Sequence, residues 1–445
     1  MTRAEKRRLR ASEGNPLLEL LKVQNHFYKG LWSDFSRIAD PRHASYIEYP
    51  SDVMLAMPIM KNICDVRSMQ GMTRVFNKDA CIENTGLITG KAELKELPHY
   101  VTVNDFLGRL DPEELTTIRT KMIKSLIRKR SFEQARFLNK YWLIIVDATQ
   151  LHSFKKENDN KCLTKTFADQ ETGEKTTRYY HSVLEAKIVL GDDLILSIAS
   201  EFIENDGEDA VRQKKMNAEE IKQDCETKAF KRLAQKLKKA FQRLPVCIMG
   251  DSLYASEKVF QICDDNDWKY LIRFKDGSIP SVAAEFHLLK EREIQNCKSG
   301  VKWINGISYN KRSVNVAEFI MPEKQTERRF QWITNLEITK KKAVVFAITG
   351  RKRWKIENEG FNIQKNHRYD ITHANSRNYN AMKNHYLLVQ IADIILQLYE
   401  KAIPIIKELN KTIKNISSDL LASFGRQLTK EDILDTKKRT SLSIP

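Results

Sequence analysis

Tyr141-Trp142-Leu143-Ile144-Ile145-Val146-Asp147 is an unbroken apolar run that stops on a carboxylate, and Leu244-Pro245-Val246-Cys247-Ile248-Met249-Gly250-Asp251 repeats the pattern further along the chain. Runs this short and this apolar read as strands buried on both faces. An acid at the end of such a strand is desolvated on one side, so it needs a cation, a set of hydrogen bonds, or both. Each acid also has a plainer reading. Asp147 can cap the turn that follows it, and Asp251 can serve as N-cap of a helix starting near Leu253.

The sequence between and around these runs has a definite order. Val183 to Leu190, Gly191-Asp192-Asp193, and Leu194 to Phe202 read as a hairpin about a Gly-Asp turn. A Lys-rich amphipathic helix follows over about 217–243, with Phe230, Leu233, Leu237 and Phe241 on one side. After the second buried run come a helix over Ser252 to Asp264 and a strand over Trp268 to Phe274. Strand, hairpin, helix, strand, helix, strand is the order of a ribonuclease H-like fold, an α/β mixed sheet flanked by helices. Residues 139–277 are therefore expected to form the first part of that domain. Residues 278–328 are polar and β-leaning and read as an insertion; residues 329–403 read as the closing part. In the closing part Thr339 caps a helix to Thr349, Gly350 breaks it, and Arg353 opens the helix that carries Glu357. Residues 1–138 are helical in pattern. There Asp52 reads as a cap for Val53 onward, and Asp111-Pro112 opens a long helix ending in the basic run Lys124 to Arg130. Residues 404–445 read as a helical basic tail.

The chain of 445 residues carries 75 Lys and Arg against 58 Asp and Glu, a formal charge of +17. Such an excess draws phosphate backbones or anionic surfaces. No stretch reaches the roughly 18 apolar residues of a membrane span, so membrane function is not expected. Met1 to Asn15 holds basic residues without the apolar run of a signal peptide, which points to the cytoplasm. The seven cysteines are scattered with no Cys-x-x-Cys pair, which argues against a zinc knuckle and for reduced thiols.

A third carboxylate, Glu357, on the closing helix can approach the two strand-end acids. Three carboxylates at one point make a hard-oxygen site suited to Mg²⁺ or Mn²⁺, the kind used in pairs for phosphodiester chemistry. Here the local sequences carry a resemblance. Arg353-Trp354-Lys355-Ile356-Glu357-Asn358-Glu359-Gly360-Phe361-Asn362 resembles the third-acid segment of DDE transposases of bacterial insertion sequences, in the group with a β-rich insertion and a Tyr-Arg-Glu-Lys signature. Pro245 to Tyr254 resembles the second-acid segment, Val146-Asp147-Ala148-Thr149 the first, and Ile38-Ala39-Asp40-Pro41-Arg42 a short N-terminal motif. The likeness runs from about 35 to 400. It implies a ribonuclease H-like catalytic domain and Asp147, Asp251 and Glu357 as catalytic metal ligands, with two Mg²⁺ or Mn²⁺ ions. It further implies cleavage of DNA at element ends, strand transfer into target DNA, a homodimer on DNA, and a bacterial, nucleoid-associated location. Arg353 matches the signature arginine and is the expected phosphate contact.

Two signature positions differ. Gly350 stands where the family has Tyr, and Gln364 where it has Lys, with Lys365 next door. Eight residues overshoot the face of Glu357 by about 80° on an α-helix; Lys365 has the reach to meet the same phosphate. Glu359 competes with Glu357 but sits about 200° away around the helix, and Ile356, Gly360 and Ile363 are expected to be its buried stripe. His181 reads as a hydrogen-bonded structural histidine, Glu185 and Glu201 as outward polar residues, and Trp268, Trp332 and Trp354 as core. Two rival functions stand beside the transposase: an inactive, transposase-derived DNA-binding protein, and a host nuclease on the same fold.

Overall fold

The computed structural model describes residues 2–11, 13–91, 93–169, 173–191, 194–205, 224–293, 297–322, 327–438 and 442. The chain divides into two compact units, Met1–Phe132 with Asn362–Pro445, and Glu133–Phe361.

In the Glu133–Phe361 unit, ten strands among the described residues form one mixed sheet. They are β1 (Trp142–Phe154), β2 (Leu163–Ala168), β3 (Lys175–Val189), β4 (Ile195–Ile203), β5 (Val246–Met249), β6 (Lys269–Phe274), β7 (Cys297–Lys298), β8 (Val301–Tyr309), β9 (Arg312–Pro322) and β10 (Glu327–Thr334). Their order is β2-β3-β1-β5-β6-β10-β9-β8-β7, with β4 also on β3. β1 runs antiparallel to β3 and parallel to β5, and β5 parallel to β6. The path β4-β3-β1-β5-β6 is the expected mixed α/β, ribonuclease H-like sheet. The two apolar runs became its central parallel pair because Trp142 to Val146 and Val246 to Met249 are all buried. The helix Glu226–Ala240 buries Ala229, Phe230, Leu233, Ala234 and Leu237, the stripe read from the sequence; the expected start at 217–223 lies outside the described residues. So do Asp192 and Asp193 of the hairpin turn.

Several boundaries differ from the sequence reading. β1 does not stop at Asp147 but continues to Phe154, and β3 begins at Lys175 rather than Val183. These extensions pair with each other and with β2 through residues such as Thr164, Thr166, Thr177 and Tyr179, a polar ribbon with no apolar alternation to announce it. The segment 278–328 is not wholly β. Pro280–Arg292 is a helix burying Val282, Ala283 and Phe286, with Pro280 in its first turn. The strands of that segment join the main sheet, since β9 pairs with β10 and β10 with β6. Gly350 does not break its helix: Ala343–Arg351 runs through it. A Cβ there would sit 2.3 Å from the indole of Trp332, so glycine is what lets the helix lie on that ring. The helix begins at Ala343, after a turn in which the Thr339 carbonyl accepts from the Lys342 and Ala343 amides.

In the other unit, the helices Pro16–Tyr28, Ser51–Ile63, Tyr100–Arg109 and Pro112–Arg128 pack on the long helix Tyr379–Ala402. Asp111 caps Pro112–Arg128 as expected, its carboxylate accepting from the Glu113 amide. Asp52 is not the cap of its helix: Pro50 holds that place, and Asp52 lies in the first turn, its carboxylate accepting from the Val53 amide. Asp40 and Arg42 of the short N-terminal motif close a bidentate pair of 2.9 and 2.7 Å, and Arg42 also donates to the Tyr49 carbonyl. Residues 362–445 belong to this unit, and the stretch from 404 read as a helical tail carries the helices Pro404–Glu408, Ile413–Phe424 and Lys430–Thr436. Ile413–Phe424 buries Ile416, Leu420 and Phe424. The Asn84 side chain donates to the Phe424 and Arg426 carbonyls at 2.8 and 2.7 Å, satisfying the end of that helix.

Candidate active site

Alternation along the central strands sets the site. Leu143 and Ile145 of β1, and Cys247 and Met249 of β5, lie in one apolar cluster that also holds Ile356 and Phe361. Side chains two residues apart share a face, so Asp147 and Asp251 continue the side against which the Glu357 segment packs. The pairing Ile145↔Met249 is the last of the β1–β5 ladder. Asp147 lies two residues beyond it on β1, and Asp251 two residues beyond it, just past the end of β5, near enough for its charge to act on Asp147.

The carboxylates are held from several directions. Asp147 accepts from the Ala148 amide at 3.0 Å, and Asp251 accepts from the Leu253 amide at 2.8 Å, capping the short turn Ser252–Tyr254. The cap role and a place in the acid cluster are thus compatible for Asp251. Arg353 is buried; its Nη1 lies 2.8 Å from Glu357 Oε1 and 3.7 Å from Asp147 Oδ2. Burial pushes the Asp147 carboxyl up to about 7; Arg353 opposes the shift, while Glu357, Glu226 and Asp251 add to it. Asp147, Asp251 and Glu357 are therefore brought together, with Arg353 as their internal counter-charge.

A fourth acid, Glu226, was not singled out from the sequence. It stands in the first turn of Glu226–Ala240, its carboxyl raised by burial and by the charge of Asp251, and Tyr254 donates to it at 3.4 Å. Tyr254 is buried, and its hydroxyl is raised by burial and by the surrounding acids. Gly250 lets that ring close in, since a Cβ there would be 2.8 Å from it. Arg273 was also missed: burial and the charge of Arg353 lower it, and its guanidinium lies 5.0 Å from the Phe330 ring. The Arg351 guanidinium lies 5.6 Å from the same ring. A strand arginine gives no signal in sequence that it will stand beside a second arginine.

The remaining candidates fall elsewhere. Glu359 pairs with Lys355 at 2.9 Å instead of joining the cluster. The segment Ile356–His367 is wound as a wide π-helix, and its buried positions are Ile356, Gly360, Phe361 and Gln364, with Ile363 only half-buried. Lys365 lies beyond Phe361, in the other compact unit, and is half-buried there. Glu185 is opposite Asp147 in the β1–β3 register but faces inward, fully buried, and accepts from Ser197 and Ser200. Glu201 pairs with Arg232 and Lys236. Trp268 and Trp332 are core, whereas Trp354 is 51% exposed with Arg353 over its ring.

The donor set of the cluster is all oxygen, which fits a hard divalent cation. Residues 222–393 match the family model described as Transposase DDE domain. That span carries the likeness to the DDE transposases. The matched span contains Asp251, Arg353, Glu357 and also Glu226, while Asp147 precedes it. No curated protein matches the sequence. A transposase of this family is an enzyme that acts on DNA, and the family generally depends on divalent metal ions. Among the described residues no helix is long and apolar enough to cross a membrane.

Proposed function

We propose that this transposase cleaves DNA at the ends of a mobile element and transfers the freed strands into target DNA, with Asp147, Asp251 and Glu357 as catalytic ligands of two Mg²⁺ or Mn²⁺ ions. The observation that carries the reading is the Asp147 carboxyl, driven to about 7 by burial and by three acids around it. So many carboxylates beside one buried Asp are unfavourable without a cation to share. Bound there, two divalent ions would activate the attacking oxygen and stabilise the leaving one.

The chain's own groups have separable tasks. Asp147 would give up its proton to hold a divalent ion. The Leu253 amide fixes one oxygen of Asp251 and leaves the other to point outward. Arg353 neutralises Glu357 and lies beside Asp147, and with a cation held by those acids it would be available to grip a DNA phosphate, where its planar fork suits bidentate contact. Lys365 is a second candidate phosphate contact. Residues 1–138 are the candidate DNA-recognition region, and a homodimer on paired ends, a bacterial insertion sequence as source and a cytoplasmic, nucleoid-associated location complete the proposal.

Cleavage of a DNA fragment carrying the element's own ends, with Mg²⁺ or Mn²⁺, tests the proposal. Nicking at the boundary by the wild type and none by Asp251→Ala is expected. Binding without cleavage, unchanged by the substitution, would favour the inactive DNA-binding protein.

A further inference from the structure

A second group of metal-ligating side chains lies in the same sheet, away from the acids. His181 on β3 is fully buried, Cys162 is nearly so, and Asp159 sits in the connection between β1 and β2. His181 Nε2 is 3.4 Å from Cys162 Sγ and 3.2 and 3.1 Å from the two oxygens of Asp159. All three donor atoms lie within 4.8 Å of one another. With Zn–N and Zn–O of about 2.0–2.2 Å and Zn–S of about 2.3 Å, the edges of a tetrahedron are about 3.3–3.6 Å. The separations from His181 Nε2 to Cys162 Sγ and to Asp159 are within a few tenths of an ångström of that.

We propose that Asp159, Cys162 and His181 form a structural site for Zn²⁺ that fastens the β1–β2 connection to β3. A thiolate and an imidazole select zinc over the hard cations that suit the all-carboxylate site. The ligands are already oriented by their neighbours. Asp159 accepts from the Asn158 side chain at 2.8 Å and from the Lys161 amide at 3.0 Å, while the Cys162 carbonyl accepts from the Asn205 side chain at 2.8 Å. Outer contacts of this kind hold ligands in place. Binding replaces the thiol proton: the S–H bond breaks, the S–Zn bond forms, and the proton leaves to solvent. Water takes the fourth position, on the side where Asp159 is 18% exposed. His181 is four residues along β3 from Glu185, the register partner of Asp147, which places the clip roughly 13 Å from the catalytic cluster.

Titrating the metal-free protein with Co²⁺ as a spectroscopic stand-in tests the site. The wild type should show a thiolate-to-cobalt charge-transfer band and tetrahedral visible bands, both abolished by excess Zn²⁺. Cys162→Ser should lose the charge-transfer band, His181→Gln should weaken binding at least tenfold, and Asp251→Ala should leave the spectrum intact. Should a ligand variant fail to fold, the wild-type spectrum and the zinc content of the wild type decide alone. No charge-transfer band in the wild type, or a band unchanged in Cys162→Ser, overturns the proposal and leaves a hydrogen-bonded Cys–His–Asp group.

Discussion

At the scale of single residues, the proposed chemistry turns on Asp147. Its folded value is about 7, well above the ordinary 3.8, because burial and three neighbouring acids outweigh Arg353. The folded state thus holds a proton that the unfolded state gives up between about pH 4 and 7. This favourable contribution is complete below the unfolded value and is lost as pH rises through 7. In chelator, stability should fall across that window, and Asp147→Asn should flatten the fall. Calorimetric titration of Mn²⁺ at pH 6 should release about one proton from Asp147, against almost none at pH 8. Equal release at both values would contradict the assigned environment. Asp147 and Asp251 were legible in sequence because a carboxylate ending a buried run is conspicuous. Glu226 was not, since a glutamate in a helix's first turn looks like ordinary dipole compensation. Its role depends on Tyr254 and Asp251, which come from another part of the chain.

At the scale of elements, the apolar runs foretold β1, β5 and β6 because those strands are buried on both faces. The outer halves of β1 and β3, and all of β2, escaped notice because their pairing is polar and two-sided. Gly350 misled for a related reason. A glycine near a helix end reads as a stop, yet here it admits the Trp332 indole. Gly350→Ala should therefore destabilise the protein by about 1–3 kcal/mol through overpacking. Denaturant unfolding that shows no loss would mean the Trp332 packing is looser than described.

At the scale of the molecule, local pattern found the helices but not their partners. Tyr379–Ala402 lies in the stretch read as the closing part of the catalytic domain, and the helices of the unit holding Met1–Phe132 pack on it. Its Asn380 and Asn384 side chains donate to the Leu110 carbonyl, each at 2.8 Å, which ties it to Tyr100–Arg109. The C-terminal helices belong to that bundle too. Phe424 meets Phe76 edge to face at 5.0 Å, and Asn25 donates to Thr436. Deleting residues 404–445 should therefore lower Tm by roughly 10 °C or more. It should also speed amide exchange in Pro16–Tyr28 and Asp79–Thr89; unchanged exchange there would contradict the packing.

We propose that one cluster of acids, holding divalent cations, does the DNA chemistry. The most direct measurement is single-turnover cleavage of end-bearing DNA in Mg²⁺ by wild type, Asp147→Asn, Asp251→Asn and Glu357→Gln, with DNA binding measured in parallel. Loss of cleavage by at least a hundredfold in all three, with end binding retained, is the predicted result. Cleavage that survives any one of the three substitutions would contradict the assignment of that acid, and survival in all three would place the chemistry elsewhere.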